Sequence, residues 1–517
     1  MAGNSFSGTP TFADITSDPF DITSGFGTIG DADGETYTVR VRLKYNPDIF
    51  LDYTYTLTSP APTRTWTGAL STDWNTAGNW NPACVPTAAN HVHIPDVTND
   101  PVIGSMVAAV AKSVWVQTGG SLTLQTGGSL GIDGFAPSIP VSLNQTFSLF
   151  NQGAVQNSGA LTIGAVNTAG HYGIMNRATI QNNTGGQISV DRSTGAGIYN
   201  FEGTFTNSAN IAIGANASVG GIGLWNAATF NNNSGGDIQI DRSSNTGLYN
   251  QGPFNKAAKI TIAANNSVYS TLLQIQLTAA IFNNNTGGEI SIDRSSQFGL
   301  RNVATTFNNA AKITVGAIAS VGAVGLGNND ATFNNNSGGE ISIDWCSFAG
   351  LYNTGLFPFT NAATITIGAN NSVGSNGIQN EIGGNFHNNT CAALIHIVSN
   401  AVINNSATFT NAGTIIENAS GTSSISSNSG VVQNLNGGTF SIGANTGLLT
   451  TADGAIWTGC TDTDWNKPAN WHNGAVPTAT DNVTIPNTTN QPTITDNTAV
   501  AKSIHVQSGA TLTIAAA

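Results

Sequence analysis

The stretch FNNNSGGDIQIDRSSNTGLYN, residues 230–250, decides the fold because the chain repeats it with small changes. Close copies occupy residues 282–302 and 333–353, and a looser copy occupies residues 180–200. Within each copy the central segment, such as DIQID, alternates apolar and polar residues, which is the period of a β-strand. Glycines and asparagines separate the short apolar segments. The question is whether this repeat is a site present several times or one structural unit used several times.

A shared element, Gly-(Ile/Leu)-x-Asn, gives the length of the unit. It recurs from residue 173 to residue 380 at steps of 24, 26, 24, 52, 26, 25 and 27 residues, and the long step contains a degraded copy near STLLQIQLTAA. Units of about 25 residues alternate between a GGEISIDRSS type and an AATITIGANNSVG type. Three short strands per repeated unit predict an all-β, right-handed parallel β-helix, or β-solenoid, with coils about 4.8 Å apart. Residues 105–450 would then form about 14 coils and a rod of about 65 Å.

Two tryptophan-rich segments, residues 65–95 and 456–486, match each other and precede similar strand patterns. Each therefore predicts the opening of a solenoid. Residues 1–58 contain two alternating strands and predict the end of a β-sandwich-like module. The predicted organisation is a β-sandwich-like segment, a linker, a first opener, a β-helix, and a second opener with the first coil of a further solenoid, at residues 1–58, 59–63, 64–104, 105–450 and 451–517.

Composition excludes several classes of protein. Charged residues make up 8% of the chain, against about 25% in an average domain, but 39% of residues are hydrophobic, which predicts a folded chain. The net charge is −13, and 15 basic residues form no basic stripe, so no nucleic-acid partner is expected. No run approaches the roughly 18 apolar residues of a membrane span, so no membrane insertion is expected. The start MAGNSFSGTP lacks a signal peptide, and we expect that a secretion signal has been removed.

The opener pattern, with its spaced tryptophans followed by AVAKS and Asn/Gly-rich coils, resembles the very large secreted surface proteins of Bacteroidota. Many of those are adhesin-like cargo of type IX secretion, and similar openers precede β-helices in autotransporter-like proteins. The resemblance covers residues 65–517. It implies an extracellular or cell-surface location and an adhesin-like β-solenoid. Because the solenoid after the second opener stops after about one coil, at TLTIAAA, we also expect this chain to be a piece of a longer protein.

One outward column of the predicted coils offers a candidate binding surface. In the shared element, Ile or Leu points inward, so the next residue points outward. Aromatic rings on successive coils suit packing against sugar rings. The alternative is that these rings stack on each other and stiffen the wall. The candidate glycan-binding residues are Tyr199, Trp225, Tyr249 and Tyr352.

The asparagine that ends the shared element predicts a structural ladder, because a buried amide at a corner can bond to the coils above and below. The FNNN runs predict similar bonds at a second corner. The ladder residues are Asn176, Asn200, Asn226, Asn250, Asn302, Asn328 and Asn353.

One aspartate per 50-residue double unit follows the long strand. At twice the coil spacing, about 9.6 Å, two such aspartates are too far apart to share a calcium ion. We therefore expect solvated turn residues, neutralised by the arginine that follows in three copies. The residues are Asp191, Asp241, Asp293 and Asp344, with Arg192, Arg242 and Arg294.

Metal and cysteine signals are weak. GDADGE places Asp31, Asp33 and Glu35 in a partial calcium-loop pattern, so structural calcium is the one cofactor considered, against the alternative of a plain turn before a strand. His387, Cys391 and His396 lack a diagnostic zinc spacing. Cys346 and Cys391 lie two coils apart, beyond disulfide reach, so both are expected to be reduced. The remaining cysteines, Cys84 and Cys460, occupy different positions in the two openers.

No nucleophile elbow, HExxH, P-loop or dinucleotide fingerprint is present. An irregular threonine and serine column does not favour ice binding. The sequence therefore predicts a non-catalytic structural or adhesive rod: a stalk, adhesin segment or filament subunit. Its expected partners are extracellular glycans, a neighbouring cell surface, further modules of the same polypeptide, or copies joined end to end. The alternative is a carbohydrate-binding solenoid or, less favoured, a polysaccharide-degrading β-helix enzyme with its site on an irregular coil, at residues 268–282 or 381–400.

Overall fold

The computed structural model describes residues 36–43, 46–56, 63–136, 145–263, 271–276, 280–451 and 453–515. The chain divides into two units, Met1–Thr63 and Arg64–Ala517. In the first unit, strands Thr36–Leu43 and Asn46–Thr56 form an antiparallel pair. These are the two alternating strands expected there. The remainder of the expected β-sandwich-like segment lies outside the described residues, as do Asp31, Asp33 and Glu35.

The second unit contains three sheets of 15 strands each, and every coil contributes one strand to each sheet over most of the length. The predicted β-solenoid is therefore confirmed. Neighbouring coils pair in parallel, with equivalent residues of the repeat in register, as in Tyr199↔Trp225↔Tyr249. We call the sheets first, second and third, after the order in which one coil visits them.

The strands of the first sheet carry the shared element with its terminal asparagine. They are Trp80–Asn81, Thr63–Trp66, His91–Ile94, Ser113–Val116, Phe147–Asn151, Tyr172–Asn176, Ala196–Asn200, Ile222–Asn226, Thr246–Asn250, Thr271–Gln276, Phe298–Val303, Val324–Asn329, Ala349–Thr354, Asn376–Asn380 and Val402–Asn405.

The strands of the second sheet carry the FNNN runs. They are Val102–Ile103, Ser121–Leu124, Ala154–Asn157, Thr179–Asn182, Thr204–Asn207, Thr229–Asn232, Pro253–Lys256, Ile281–Asn284, Thr306–Asn309, Thr332–Asn335, Pro358–Asn361, Asn385–Asn388, Thr408–Asn411, Thr422–Asn428 and Thr439–Asn445.

The strands of the third sheet carry the ISID and ITIG segments. They are Ala108–Ala111, Ser129–Ile132, Ala160–Ile163, Gln187–Val190, Asn210–Ile213, Asp237–Ile240, Lys259–Ile262, Glu289–Ile292, Lys312–Val315, Glu340–Ile343, Thr364–Ile367, Leu394–Ile397, Thr414–Glu417, Val431–Asn434 and Leu448–Thr450.

The coil that contains the degraded copy keeps its place in the solenoid in the residues that the structure describes. Strand Thr271–Gln276 takes its place in the first sheet, between Thr246–Asn250 and Phe298–Val303. The third sheet has 15 strands, from Ala108 to Thr450, one more than the expected 14. The difference arises because the last coils are shorter, with 17 residues between equivalent asparagines Asn411 and Asn428, and 17 again to Asn445.

The interior is a narrow apolar core in which equivalent side chains stack along the solenoid. One column is made of phenylalanines whose ring centroids lie 4.5–5.0 Å apart in nearly parallel planes. This repeat equals the strand spacing, so each ring packs against the same residue of the next coil. The column contains Phe205, Phe230, Phe254, Phe282, Phe307, Phe333, Phe359, Phe386 and Phe409.

The two openers fold alike. In the first, the Trp80 ring meets the rings of Trp66 and Trp74 edge-on at 4.9 and 4.7 Å, and its Nε1 donates to the Trp74 carbonyl. In the second, Trp471 does the same with Trp457 and Trp465 at 5.1 and 4.8 Å. Short 3₁₀-helices, absent from the sequence prediction, precede the last tryptophan of each opener. They span Ala77–Asn79 and Pro468–Asn470.

The two openers differ in whether their tryptophans belong to the core of the long solenoid. Trp66, Trp74 and Trp80 belong to the continuous core of the long solenoid. The second opener has a separate core of its own around Trp457, Trp465 and Trp471. Its strands form two small parallel sheets, Ala455–Ile456 with Asn482–Ile485 and Ser503–Val506, and Thr493–Ile494 with Thr513–Ile514.

Candidate functional site

The asparagine column at the end of the first-sheet strands forms a chain of side-chain hydrogen bonds along the inside of the corner. Each Nδ2 donates to the Oδ1 of the next coil at 2.7–2.9 Å, and each side chain is fully buried up to Asn380. The ladder runs through Asn151, Asn176, Asn200, Asn226 and Asn250, and again through Asn302, Asn328, Asn353, Asn380 and Asn405. Ile275 occupies the column between the two runs.

A second inner ladder follows the corner after the second-sheet strands, with Nδ2 to Oδ1 distances of 2.7–2.9 Å. Its members are Asn157, Asn182, Asn207, Asn232, Asn284, Asn309, Asn335, Asn361, Asn388, Asn411, Asn428 and Asn445. A lysine, Lys256, stands where the column would have its fifth asparagine. The preceding residues of five successive strands form an outer row of four hydrogen bonds, in which Nδ2 donates in the opposite direction, as from Asn283 to Asn255 at 2.8 Å.

The repeated aspartates are buried, so the expectation of solvated turn residues is wrong. All four are at most 2% exposed: Asp191, Asp241, Asp293 and Asp344. Asp344 accepts the backbone N–H groups of Asn370 and Asn371 at 2.9 and 3.2 Å, and the Asn370 side chain at 3.1 Å. Turn N–H groups at a solenoid corner have no strand partner, and the carboxylate of the preceding coil supplies one.

This contact explains why two types of unit alternate. The aspartate of one type binds the GANN-type turn of the other, as Asp191 binds Asn216 and Ala217. Asp293 binds the turn N–H groups of Ile318 and Ala319. Sequence reasoning missed an earlier member, Asp133, which accepts from Val166 and Asn167; its position two coils before Asp191 could have identified it.

The arginines that follow the aspartates have a backbone role that the sequence prediction did not include. Arg192, Arg242 and Arg294 adopt left-handed φ angles of 56°, 49° and 62°. Arg192 Nη1 donates to the carbonyls of Gly164 and Ala165 in the preceding coil, and Arg242 makes the equivalent bonds. Burial raises the pKa of Asp293, and the backbone N–H groups of Ile318 and Ala319 and then the charge of Arg294 offset part of that rise. Neutralisation by the arginine is therefore the smallest of these effects.

The outward aromatic column is longer than the sequence suggested. The register extends it backwards through Met175, Phe150, Trp115 and His93. The rings of Tyr199 and Trp225 stack at 4.3 Å, and those of Trp225 and Tyr249 are tilted at 5.8 Å. We call the residues from His93 to Tyr249 in this column the aromatic stripe.

Much of the stripe is covered. Phe150, Met175 and Tyr199 are 1%, 0% and 8% exposed and form a small outer core with Phe147 and Tyr172. Burial raises the pKa of Tyr199 to about 12, and burial also raises the pKa of Tyr249. Tyr199 therefore acts mainly as packing, and Trp225 and Tyr249 are the candidates that remain half-buried.

Trp225 and Tyr249 share a polar neighbour. Trp225 Nε1 donates to Gln251 Oε1 at 2.7 Å, and Gln251 Nε2 donates to the Tyr249 hydroxyl at 2.9 Å. The arrangement holds two flat rings beside one amide. Such a combination of apolar faces and oriented polar groups is what sugar rings pack against.

Tyr352 does not join this group. Gln274, Arg301 and Gly327 occupy the column between Tyr249 and Tyr352, on three successive coils. The separation along the solenoid is therefore four coil steps, about 19 Å. The four glycan-binding candidates divide into a cluster of three and one isolated tyrosine.

The cysteines correct a second expectation. Cys391 is bonded to Cys460 of the second opener, so the prediction of a reduced Cys391 is wrong. The prediction failed because it compared positions along one solenoid, whereas the partner lies in a segment packed beside it. Cys346 is a free, buried thiol, and Cys84 is a free, exposed one.

Metal-binding groups are not apparent in the described parts of the chain. There, no group of three or more His, Cys, Asp or Glu side chains is placed to hold a metal ion. The His387 ring bonds to the Thr410 hydroxyl at 2.7 Å.

Within the same described residues, no helix is long and apolar enough to span a membrane.

Comparisons with known proteins bear mainly on the openers. The chain is similar to a family described as a domain of unknown function (DUF8693) over residues 65–221 and 456–517. Both matched segments begin at a tryptophan-rich opener, consistent with two copies of one module. A search of curated proteins finds no match. Among solved structures, a TibC-catalyzed hyper-glycosylated TibA fragment is 18% identical, with coverage of 59% of this chain and 88% of that one and a TM-score of 0.28.

Proposed function

We propose that this chain is a non-catalytic rod segment of a large extracellular surface protein, used as a stalk, an adhesin segment or a filament subunit. The observation that carries the proposal is the continuity of the three 15-strand sheets, whose coils are joined by the inner asparagine ladders. The Cys391–Cys460 disulfide supports an oxidising, extracytoplasmic location. Such a solenoid resists bending and keeps two ends apart.

The non-catalytic assignment is tested with a panel of polysaccharides, for each of which both retention of the protein and release of products are measured. We expect no new reducing ends or unsaturated products from any polymer. Release of products by the purified chain would overturn the non-catalytic assignment. Electron microscopy of the same sample should show a solenoid about 67 Å long for 15 stacked strands, from 14 steps of about 4.8 Å.

The second candidate function is glycan binding, favoured by Trp225 and Tyr249 with their shared Gln251. We expect Trp225→Ala to lose retention on the glycan that the parent chain retains, because the largest flat face of the cluster is removed. Trp345→Ala is the matched control, since Trp345 is also partly exposed, at 37%, but it follows the third-sheet strand Glu340–Ile343 instead of lying on the first sheet. Equal retention by both variants would exclude the cluster as a binding surface.

End-to-end association is the proposed assembly mode. Thr439–Asn445 and Leu448–Thr450 are the last strands of their sheets, and most of their residues are exposed. Exposed strand edges pair readily with further strands. We expect sedimentation velocity to show concentration-dependent association that Leu449→Lys weakens. A chain that stays monomeric at every concentration would argue for continuation by further modules instead.

A further inference from the structure

Lys256 interrupts the inner asparagine ladder of the second corner. It is 0% exposed, although lysine is almost never fully buried without a partner. Its Nζ lies 2.6 Å from Asn284 Oδ1, in the next coil. Lys256 thus takes the donor role of the asparagine that the column has elsewhere, but with a primary amine in place of an amide.

Burial favours the uncharged form of the Lys256 amine. Burial lowers the pKa of Lys256 to about 7, and the charge of Glu289 raises it in part. Near pH 7, about half of such amines are uncharged and therefore nucleophilic. Gly288 leaves room for the amine, because a Cβ at that position would lie 2.8 Å from Nζ.

The amide of Asn284 is held in one orientation by the ladder. Its Nδ2 donates to Asn309 Oδ1 at 2.7 Å and to the Lys312 carbonyl at 3.2 Å. Its Oδ1 faces the Lys256 amine. Nucleophile and carboxamide are thus fixed against each other in a dry interior, which is the condition under which an intramolecular reaction is strongly favoured.

We propose that Lys256 and Asn284 form an intramolecular isopeptide bond. The Lys256 Nζ lone pair attacks Asn284 Cγ, a C–N bond forms, and the bond from Cγ to Nδ2 breaks. One amine proton passes to the departing nitrogen, which leaves as ammonia. An amide is exchanged for an amide, so the step needs no oxidant, reductant or added reactant.

The bond would lie at the coil step where the first inner ladder is interrupted. In the first corner, the ladder is interrupted at the same level, because Ile275 follows Asn250 in the column and Asn250 donates within its own coil, to Gly252. Across this step, therefore, the first inner ladder is broken, and the second is continued only by the contact of Lys256 with Asn284. A covalent link between the coils of Pro253–Lys256 and Ile281–Asn284 would compensate for the interruption at the first corner.

The test is the mass of the intact, unfolded and reduced chain. We expect it to be lower than the mass from the sequence by one ammonia, about 17 Da. Tryptic digestion should give a branched peptide that joins residues 256 and 284. A mass equal to that of the sequence, with both linear peptides recovered, overturns the proposal.

Two variants distinguish ammonia lost in forming this bond from ammonia lost in other reactions, such as succinimide formation at Asn-Gly sites. Lys256→Asn restores the residue of the column and should fold with the full sequence mass. Lys256→Arg retains a cation and also should show no deficit. A deficit that persists in Lys256→Asn would assign the loss to another site and overturn the proposal.

Discussion

At the residue scale, polar side chains in the interior provide hydrogen-bond partners for backbone and side-chain groups. The coil geometry would otherwise leave those groups without a partner. Asp344 bonds to the turn of the next coil, and Asn79 and Asn470 perform the same task inside the two openers. Burying a polar group without a partner costs free energy, so these residues are needed wherever the chain bends.

Asp344→Ala should destabilise the corner at residues 368–373. The N–H groups of Asn370 and Asn371 lose a charged acceptor, and hydrogen bonds to charged groups contribute about 1.5–3 kcal/mol. Hydrogen exchange of those two amides should accelerate. Asp344→Asn is the control, because it keeps one acceptor oxygen and should show a smaller effect. Unchanged exchange in the alanine variant would contradict the assigned role.

Glu417 should make the stability depend on pH. It is 0% exposed and accepts from Ser423 Oγ and Asn434 Nδ2, both at 2.7 Å. Burial raises the pKa of Glu417 from 4.5 to about 7. The folded chain therefore holds a proton that the unfolded chain has released, and the stability that this group contributes is lost as pH rises from about 4.5 through about 7.

The measurement is urea unfolding of the parent chain and Glu417→Gln between pH 4 and 8. Glutamine is uncharged, and it keeps both partners because its oxygen can accept from Asn434 while its nitrogen donates to the Ser423 hydroxyl. The variant should therefore gain stability over the parent as pH rises, by about 1.4 kcal/mol per unit of pKa shift. The parent must be compared with the variant because His472 also titrates: burial lowers the pKa of His472 to about 4. The stability that depends on His472 therefore rises with pH, opposite to the effect of Glu417, and it cancels in the comparison. Parallel pH profiles would contradict the prediction.

At the element scale, the unit of stability is the contact between neighbouring coils. A typical coil stacks a phenylalanine on the next one and adds one asparagine to each inner ladder, and alternate coils bind the next turn through an aspartate. The third sheet also alternates charge on successive coils, in the column Asp237, Lys259, Glu289, Lys312 and Glu340. Opposite charges on neighbouring strands attract each other, so they favour the observed pairing over one shifted by a single coil, which would place like charges side by side.

Asn335→Ala should weaken the contact on both sides of its coil. Asn335 accepts from Asn309 and donates to Asn361, each at 2.7 Å. The expected loss is about 1–3 kcal/mol, since buried partners remain unsatisfied. Asn334→Ala is the matched control on the outer face, where Asn334 Nδ2 donates to Asn308 at 2.9 Å and water can replace it. Equal denaturation midpoints for the two variants would contradict the ladder's contribution.

At the scale of the whole molecule, the second opener is fastened to the side of the long solenoid. The disulfide joins Cys391 to Cys460 across 69 residues. His472 Nε2 of the opener also bonds to Gln433 Oε1 of the solenoid at 3.0 Å, while its Nδ1 accepts from the Ile456 N–H within the opener. The two cores stay separate, so these contacts determine where the second opener lies.

Cys460→Ser should loosen residues 451–515 without affecting the long solenoid. A disulfide closing a loop of this length contributes about 2–4 kcal/mol, and its loss should raise proteolysis of the second opener selectively. Cys84→Ser is the control, since Cys84 is a free thiol. Alkylation of the unfolded parent chain should label two cysteines before reduction and four after it. Four labelled cysteines without reduction would show that the disulfide is absent.

The sequence by itself determined the coil. Its period, the alternation in DIQID and the asparagine of GLYN follow from contacts between equivalent residues one coil apart, and a tandem repeat displays those contacts directly. The degraded copy near Thr271–Gln276 was placed correctly for the same reason.

Only the tertiary structure decided which way polar groups face and what lies beside the solenoid. Asp344 is buried because a turn of the other unit type closes over it, and Tyr199 is covered by its neighbours in an outer core. The Cys391–Cys460 bond and the contact between Lys256 and Asn284 each depend on a single, unrepeated residue. A repeat pattern carries information only about what recurs, so contacts that occur once require the folded chain to bring their partners together.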